Sequence, residues 1–358
     1  MVVKLMRMRR DGMFRKVMPA VPKFMRAAHM IMPAVPKVMR VVHYGCRNGE
    51  AHGLKHVEVP VPAPAKDEVL LKVEAASLNP LDWKLQKMTW GSSFMLQFPH
   101  IPGIDVAGEV VEVGARVKEF KAGEKVVSVL SHVWGGGLAE FAVAKENLTV
   151  SRPSQVSAAE GAGLPISGLT ALRALIEEVD IKLDGSGKQK SILIEGASGG
   201  VGHHAVQLAK LGNTHVTATC GTQNIDFVRS LGADEVLPYK TQTLIWSLSG
   251  RKYNAVLHCS TGIPQSIANL STNREVIDLT PVVSTKWTRD VRTFFRKKQL
   301  VPKFVSLKKK NLAYLVGLKE GKLKTVIDSK HPLSKAEAAW TKRIDEDGDA
   351  SGKIIVEP

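Results

Sequence analysis

Little in this chain can build a covalent or metal framework. Its 358 residues hold three cysteines, Cys46, Cys220 and Cys259, far apart and without metal-ligand spacing. That excludes a disulfide scaffold and fits a reducing compartment. No apolar run approaches the ~18 residues needed to span a bilayer. Acidic residues are scarce in two places. Residues 1–40 carry ten Lys/Arg against Asp11 alone, and 286–310 carry ten against Asp290 alone. These two segments account for the net charge of +16, and the rest of the chain is close to neutral. With aromatics at 6% and no reading motif, the basic segments give little support to nucleic-acid binding. An anionic membrane surface suits them at least as well, and solvated surface charge is the equal alternative.

What is present is a large apolar fraction, 44%, enough to bury an extended core and more than one domain. The start is unusual, because Met18 to Arg26 recurs as Met32 to Arg40. Two short, proline-broken copies make no solenoid, so residues 1–38 are expected to form a flexible basic extension. Arg-rich and acid-poor, it has the bias of an organelle transit peptide but contains no Ser or Thr.

The chemistry concentrates at Ser191 to Gly202, Ser-Ile-Leu-Ile-Glu-Gly-Ala-Ser-Gly-Gly-Val-Gly, followed by His203 to Lys210. An apolar strand runs into a glycine-rich turn and then a helix, with Val201, Ala205, Leu208 and Gly212 along one face. Such a turn lets a pyrophosphate reach backbone N–H groups at a helix N-terminus. Ala197 stands at the first glycine position of the usual fingerprint. The next strand, His215 to Thr219, leads to Cys220-Gly221, where an NAD enzyme places Asp or Glu. Without that carboxylate NADPH is favoured. Strand-like stretches recur at Leu231–Leu237, Ala255–Cys259 and Glu275–Leu279, which predicts a doubly wound parallel sheet. Upstream, Val57–Pro62, Glu68–Glu74 and Val106–Val113 predict a separate β-rich domain, with Val41 to Tyr44 its first strand. Ser351 to Val356 predicts a strand that returns to it.

Leu78-Asn79-Pro80-Leu81-Asp82-Trp83-Lys84, Pro102-Gly103-Ile104-Asp105-Val106-Ala107-Gly108, Gly168-Leu169-Thr170-Ala171 and the Ala-Ser-Gly-Gly-Val-Gly turn occur in a familiar order. Together they resemble the zinc-independent quinone oxidoreductases of the medium-chain dehydrogenase/reductase superfamily. The likeness extends to the plant chloroplast-envelope branch through His132–Phe141, Val216–Gly221 and Thr325–Leu333, and covers about residues 39–358. It implies a Rossmann domain at 166–304 and a GroES-like substrate domain at 39–165 and 305–358. It further implies hydride transfer from NADPH to the activated C=C of an enone or oxidised-lipid ketol, or to a quinone. A homodimer and a location at the inner envelope periphery of the chloroplast also follow from it. A nucleotide-binding protein of the same fold with little turnover is the alternative.

By the same resemblance Thr170 meets the nicotinamide carboxamide, and Ser198, Gly199, Gly200 and Val201 cradle the pyrophosphate. Tyr239 lies near the 2′-phosphate, Ser260 and Thr261 border the nicotinamide ribose, and Thr219, Gly221 and Asn224 complete the coenzyme contacts. Zinc relatives carry a metal-binding Cys where this chain has Asn79, and Gly-His-Glu where it has Gly103-Ile104-Asp105. Ile104 cannot ligate a metal. Lys84 and the Asn79 amide are therefore the candidate donors to the acceptor oxygen. Lys84 can equally be a surface cation paired with Asp82, and Asn79 a turn residue before Pro80. His132, His203 and His204 are candidate proton donors, with one of the adjacent pair expected to face solvent. The loops at 83–98 and 287–304 would shape the acceptor pocket. The envelope branch has Arg where Gln223 stands, and Arg229 or Lys240 could replace it at a 2′-phosphate. Asn254 and Arg274 are further departures.

Overall fold

β-Branched and aliphatic residues fill the segments on both sides of the glycine turn, and they sort into two sheets. The computed structural model describes residues 34–46, 51–87, 98–130, 136–239, 251–260, 276–279, 300–302, 307–318, 322–345 and 351–358. The basic extension up to residue 33, most of 286–306, and His132, Lys240, Thr261 and Arg274 lie outside the described residues.

The first sheet has seven strands, in the order β14-β15-β3-β4-β5-β7, with β6 also paired to β3. Its strands are β3 (Glu68–Leu78), β4 (Asp105–Val113), β5 (Lys125–Val129), β6 (Phe141–Lys145), β7 (Thr149–Ser151), β14 (Ile327–Pro332) and β15 (Lys353–Glu357). The long β3 pairs antiparallel with β4, β6 and β15, so the C-terminal strand does return to the upstream sheet. Gly108 is required here, because a Cβ would collide with the Lys72 carbonyl across the ladder. A hairpin of β1 (Val38–Tyr44) and β2 (Leu54–Pro60) joins this sheet through bridges from Val41 to Ala139 and Tyr44 to His100. Its core gathers Val42, Tyr44, Leu71, Leu78, Val106 and Trp340.

The second sheet has six parallel strands in the order β10-β9-β8-β11-β12-β13. They are β8 (Ser191–Glu195), β9 (His215–Cys220), β10 (Glu235–Pro238), β11 (Ala255–His258), β12 (Val276–Asp278) and β13 (Leu300–Pro302). Numbered within the sheet this is 3-2-1-4-5-6, the doubly wound order whose ligand crevice opens at the carboxyl ends of the two central strands. Near-continuous burial of β8, β9 and β11 follows from cover on both faces.

Helices α1 (Pro80–Lys87), α2 (Ala158–Ala162), α3 (Pro165–Arg173), α4 (Gly202–Leu211), α5 (Ile225–Ser230), α6 (Lys309–Leu318) and α7 (Ala336–Asp345) complete the fold. α2 opens with a full capping box, the Ser157 hydroxyl and the Glu160 carboxylate each meeting the other's backbone N–H. Leu169 and Leu172 of α3 and Ala205 and Leu208 of α4 pack on Ile192, Ile194, Val216 and Ala218. The same core takes in Ala107, Val127 and Ile355, so apolar packing runs continuously from one sheet to the other.

Candidate active site

The turn after β8 is built by exclusion of side chains. Gly196 has φ +72°, the left-handed region that favours glycine. A Cβ there would sit 3.0 Å from Ser260 Cβ and 3.1 Å from Ser260 N. A Cβ on Gly202 would overlap the Gly196 carbonyl oxygen and lie 2.6 Å from Ala197 Cα. Helix α4 can therefore begin here only because position 202 is bare. Ser198, Gly199, Gly200 and Val201 form the tip of this turn, and Ser260 packs against its base, so these residues come together at the β8/β11 switch point. Val201, Ala205 and Leu208 face inward, as their spacing predicts. Glycine main chain at a helix N-terminus fits the diphosphate of a dinucleotide.

Beyond β9, Ala197 N donates to Thr219 O at 2.9 Å, and Tyr239 N donates to Cys220 O at 3.0 Å. Among the described residues the Thr219 hydroxyl is buried without a partner, a hydrogen-bonding site at the carboxyl edge that also suits a coenzyme. Beside Gly221 the Gln223 amide atoms lie 2.9 Å from where a Cβ would stand. Asn224 is buried, and its Oδ1 accepts from Ser351 Oγ at 2.6 Å. Arg229, one candidate replacement for the branch's arginine, is exposed and paired with Asp226 at 3.2 Å. Thr170 is buried on α3, its hydroxyl donating to Ile166 O at 2.7 Å.

A second cluster comes from the first sheet. Asn79, Asp82, Asp105 and Lys353 are all buried. The Asp82 carboxylate accepts from Asn79 N at 2.7 Å and from Gly103 N at 3.0 Å, fastening the start of α1 to the start of β4. Asn79 Nδ2 donates to Asp105 Oδ2 at 2.9 Å, while its Oδ1 accepts from Lys353 Nζ at 2.5 Å. Asp105 Oδ2 also accepts from Ile166 N at 3.1 Å, near the N-terminus of α3. Burial pushes the Asp105 carboxyl up to about 7, against the opposing pull of Lys353. The Lys353 stem reaches the glycine turn, with Cδ 3.2 Å from a Cβ on Gly200. Gly352 N donates to Ser198 O at 2.9 Å. Lys353 thus joins the two clusters, and the sequence reading missed it because it sits 274 residues from Asn79.

Two expectations need correction. The Asn79 amide is not aimed at an acceptor: its N–H group serves Asp105 and, at 3.4 Å, Ser77 O. Neither His203 nor His204 faces solvent; both are fully buried, their ring centroids 3.9 Å apart and the planes tilted by 37°. His203 Nδ1 meets Gly199 O at 2.9 Å and its Nε2 accepts from Val326 N at 3.3 Å. His204 Nδ1 lies 3.2 Å from Ser167 Oγ. Imidazoles so committed stitch α4 to the 324–326 segment and have no free edge for proton transfer to an acceptor. Lys84 stands half-buried on α1. Asn254 has an explanation: its Oδ1 accepts from Ser191 N at 2.8 Å, a bond an aspartate would make equally well. In the basic region, Lys308 pairs with Glu177 at 3.1 Å and Lys309 with Glu119 at 2.8 Å.

A GroES-like sheet bearing α1 and the Asp105 loop, joined to a doubly wound sheet with a glycine turn at its switch point, defines a medium-chain dehydrogenase/reductase. The alcohol dehydrogenase GroES-like domain matches residues 65–154, and the zinc-binding dehydrogenase family matches 231–356. The chain is 61% identical over 321 residues to the chloroplast envelope quinone oxidoreductase homolog of Arabidopsis thaliana, covering 88% of this chain and 97% of that protein. It is 34% identical over 306 residues to a chloroplastic NADPH-dependent alkenal/one oxidoreductase of the same plant, covering 83% and 74%. The solved quinone oxidoreductase from Coxiella burnetii superposes with a TM-score of 0.75 at 28% identity, over 90% of this chain and all of that one. This chain belongs to the quinone oxidoreductase family of that superfamily. It has the family's nicotinamide-dependent oxidoreductase fold.

Proposed function

We propose that this protein is an NADPH-dependent reductase of enones, oxidised-lipid ketols or quinones that works without zinc. The observation that carries the reading is the bare turn from Gly196 to Gly202, placed at the switch point and touched by Lys353 from the other sheet. When bound, the reduced nicotinamide supplies a hydride to the electron-poor carbon of the acceptor. Thr170, Thr219, Gly221, Asn224, Tyr239, Ser260 and Thr261 would hold the coenzyme around the turn, and the absence of an acid at 220–224 supports NADPH. The name of the Arabidopsis alkenal/one oxidoreductase agrees with that coenzyme and acceptor class.

Zinc does not suit the positions its relatives use. Ile104 offers hydrocarbon, and the Asn79 amide is committed to Asp105 and Lys353. Among the described residues no group of three or more His, Cys, Asp or Glu is arranged to hold a metal ion. Lys84 remains the donor proposed for the acceptor oxygen as charge develops there. Asn79 takes a different part, holding Asp105 and Lys353 in register behind the site.

Names of the chloroplast relatives support a chloroplast location, and the inner envelope periphery is part of the same proposal. Attraction to an anionic membrane would rest on basic residues other than Lys308 and Lys309, whose charges are already balanced. The outer edge of β13, unpaired among the described residues, supports a homodimer formed there. Steady-state oxidation of NADPH and NADH with enones of increasing chain length and with quinones, with and without a chelator, tests the reading. Turnover insensitive to the chelator is expected; NADPH binding with no acceptor reduced would leave a coenzyme-binding protein without turnover.

A further inference from the structure

Lys353 stands between an anion of the fold and the place where the coenzyme's anion is proposed to lie. Its side chain is buried. On the side of the antiparallel sheet, Nζ donates to Asn79 Oδ1 at 2.5 Å and to Leu78 O at 3.4 Å. Toward the glycine turn, Nζ lies 3.9 Å and Cδ 3.2 Å from where a Cβ on Gly200 would stand. Burying an ammonium carries a desolvation penalty that an opposite charge and good hydrogen bonds must offset. Asp105 is that charge within the fold. The Asn79 amide links the two, accepting from Lys353 and donating to Asp105 Oδ2 at 2.9 Å.

The surroundings of Asp105 are specific. Lys353 from β15 favours its ionised form, and Asp82 from α1 opposes it. Its neighbours in the sheet, Ser77 on β3 and Val129 on β5, carry no charge. From α3 it meets only main chain, the Ile166 N–H. Burial outweighs these favourable contacts and raises the carboxyl to about 7, so a modest change in nearby charge moves its protonation at neutral pH.

We propose that Asp105 and the coenzyme's diphosphate compete for the Lys353 ammonium, so that the coenzyme binds with uptake of one proton's share by Asp105. This rests on the coenzyme reading above. A diphosphate seated on the turn weakens the hold of Lys353 on the carboxylate and adds repulsion of its own. Both effects act in one direction. A proton from solvent forms an O–H bond on the Asp105 carboxyl, and the positive charge of Lys353 is left to the diphosphate. Release of the coenzyme returns the proton. Asp105 is thus a positioning residue, acting on the coenzyme through Lys353.

Calorimetric titration of the full-length wild type with NADPH and with NADH, at pH 7.5 in buffers of different ionisation enthalpy, counts the protons. Uptake of about 0.2–0.5 proton per coenzyme is expected, the amount for a carboxyl near 7 raised by half to one unit. NADH lacks the 2′-phosphate, so its count excludes titration of that group. In Asp105→Asn the uptake should vanish. Dissociation constants from fluorescence titration give a second readout. Wild-type affinity for NADH should fall about three- to ten-fold between pH 6 and 9, while Asp105→Asn stays within about two-fold and binds more tightly than wild type at pH 9. A carboxylate that merely braced the fold would cost affinity on substitution at every pH. That pattern, or uptake unchanged in Asp105→Asn, overturns the proposal. Circular dichroism accompanies the variant. Should it not fold, the wild-type NADH count still decides: uptake supports the proposal, and no exchange or release overturns it. Wild-type protein that binds neither coenzyme defeats the coenzyme reading itself, an outcome distinct from binding without proton uptake.

Discussion

The carboxyl edge of the parallel sheet and the cluster at the foot of the antiparallel sheet solve opposite problems. At Gly196–Gly202 the site is made by removing side chains, so that main-chain N–H groups stay open. At Asn79, Asp105 and Lys353 it is made by packing polar side chains into a buried network in which each satisfies the next. The first arrangement tolerates no added atom at Gly202 and little at Gly196; the second depends on the Lys353 cation staying among its buried partners. Substitutions at the two places should therefore fail in different ways.

The largest effect is expected at Gly202. In Gly202→Val the new side chain overlaps Gly196 and Ala197, so α4 cannot follow the turn. A stability loss of at least ~3 kcal/mol in urea unfolding is expected, with NADPH affinity lost by more than about a hundredfold. Lys353→Met attacks the other cluster by leaving Asp105 and Asn79 buried without their cation. A loss of about 3–5 kcal/mol is expected. Combining it with Asp105→Asn should recover part of that loss; a strictly additive double variant would contradict the shared network.

A pH dependence sharpens the contrast. In the folded protein burial raises Asp105 from 3.8 to about 7, so the native state holds this proton more tightly than the unfolded chain. Its ionisation costs stability progressively as pH rises from about 4 to about 7, and the cost is constant above that. The stability of Asp105→Asn relative to wild type should therefore improve across that window and level off beyond it. Chemical denaturation at pH 4, 5.5, 7 and 8.5 measures this, and a flat difference would remove the assigned shift. The smallest effect is expected at Asn254. Asn254→Ala should lose about 1 kcal/mol with its bond to Ser191 N, while Asn254→Asp should stay within roughly 0.5 kcal/mol of wild type. Thermal melts of the two side by side decide it.

The same contrast explains what could be read from residue order. The glycine turn was legible because its requirements are local: an apolar strand, bare positions at fixed spacing, and a helix follow one another within twenty residues. The doubly wound parallel sheet follows from alternation of strand and helix patterns, and the strand pattern of Ser351 to Val356 was legible in its own residues. Lys353 was hidden because its partners Asn79 and Asp105 lie far away in the chain, and no spacing rule links them. The commitment of the Asn79 amide and the burial of both His203 and His204 were hidden for the same reason. Each depends on which residues become neighbours across sheets or strands. Asn254 shows the reverse case, where an apparent departure retains the acceptor its position requires.

Titration of NADPH fluorescence against wild type and Gly200→Asp, side by side, tests the central claim most directly. The substituted carboxylate would stand beside Lys353 on the turn where the diphosphate is proposed to lie, and can pair with that lysine in the folded protein. The account predicts a saturable fluorescence change with wild type and its loss in a folded Gly200→Asp variant. Equal binding by both proteins, or none by wild type, would contradict it.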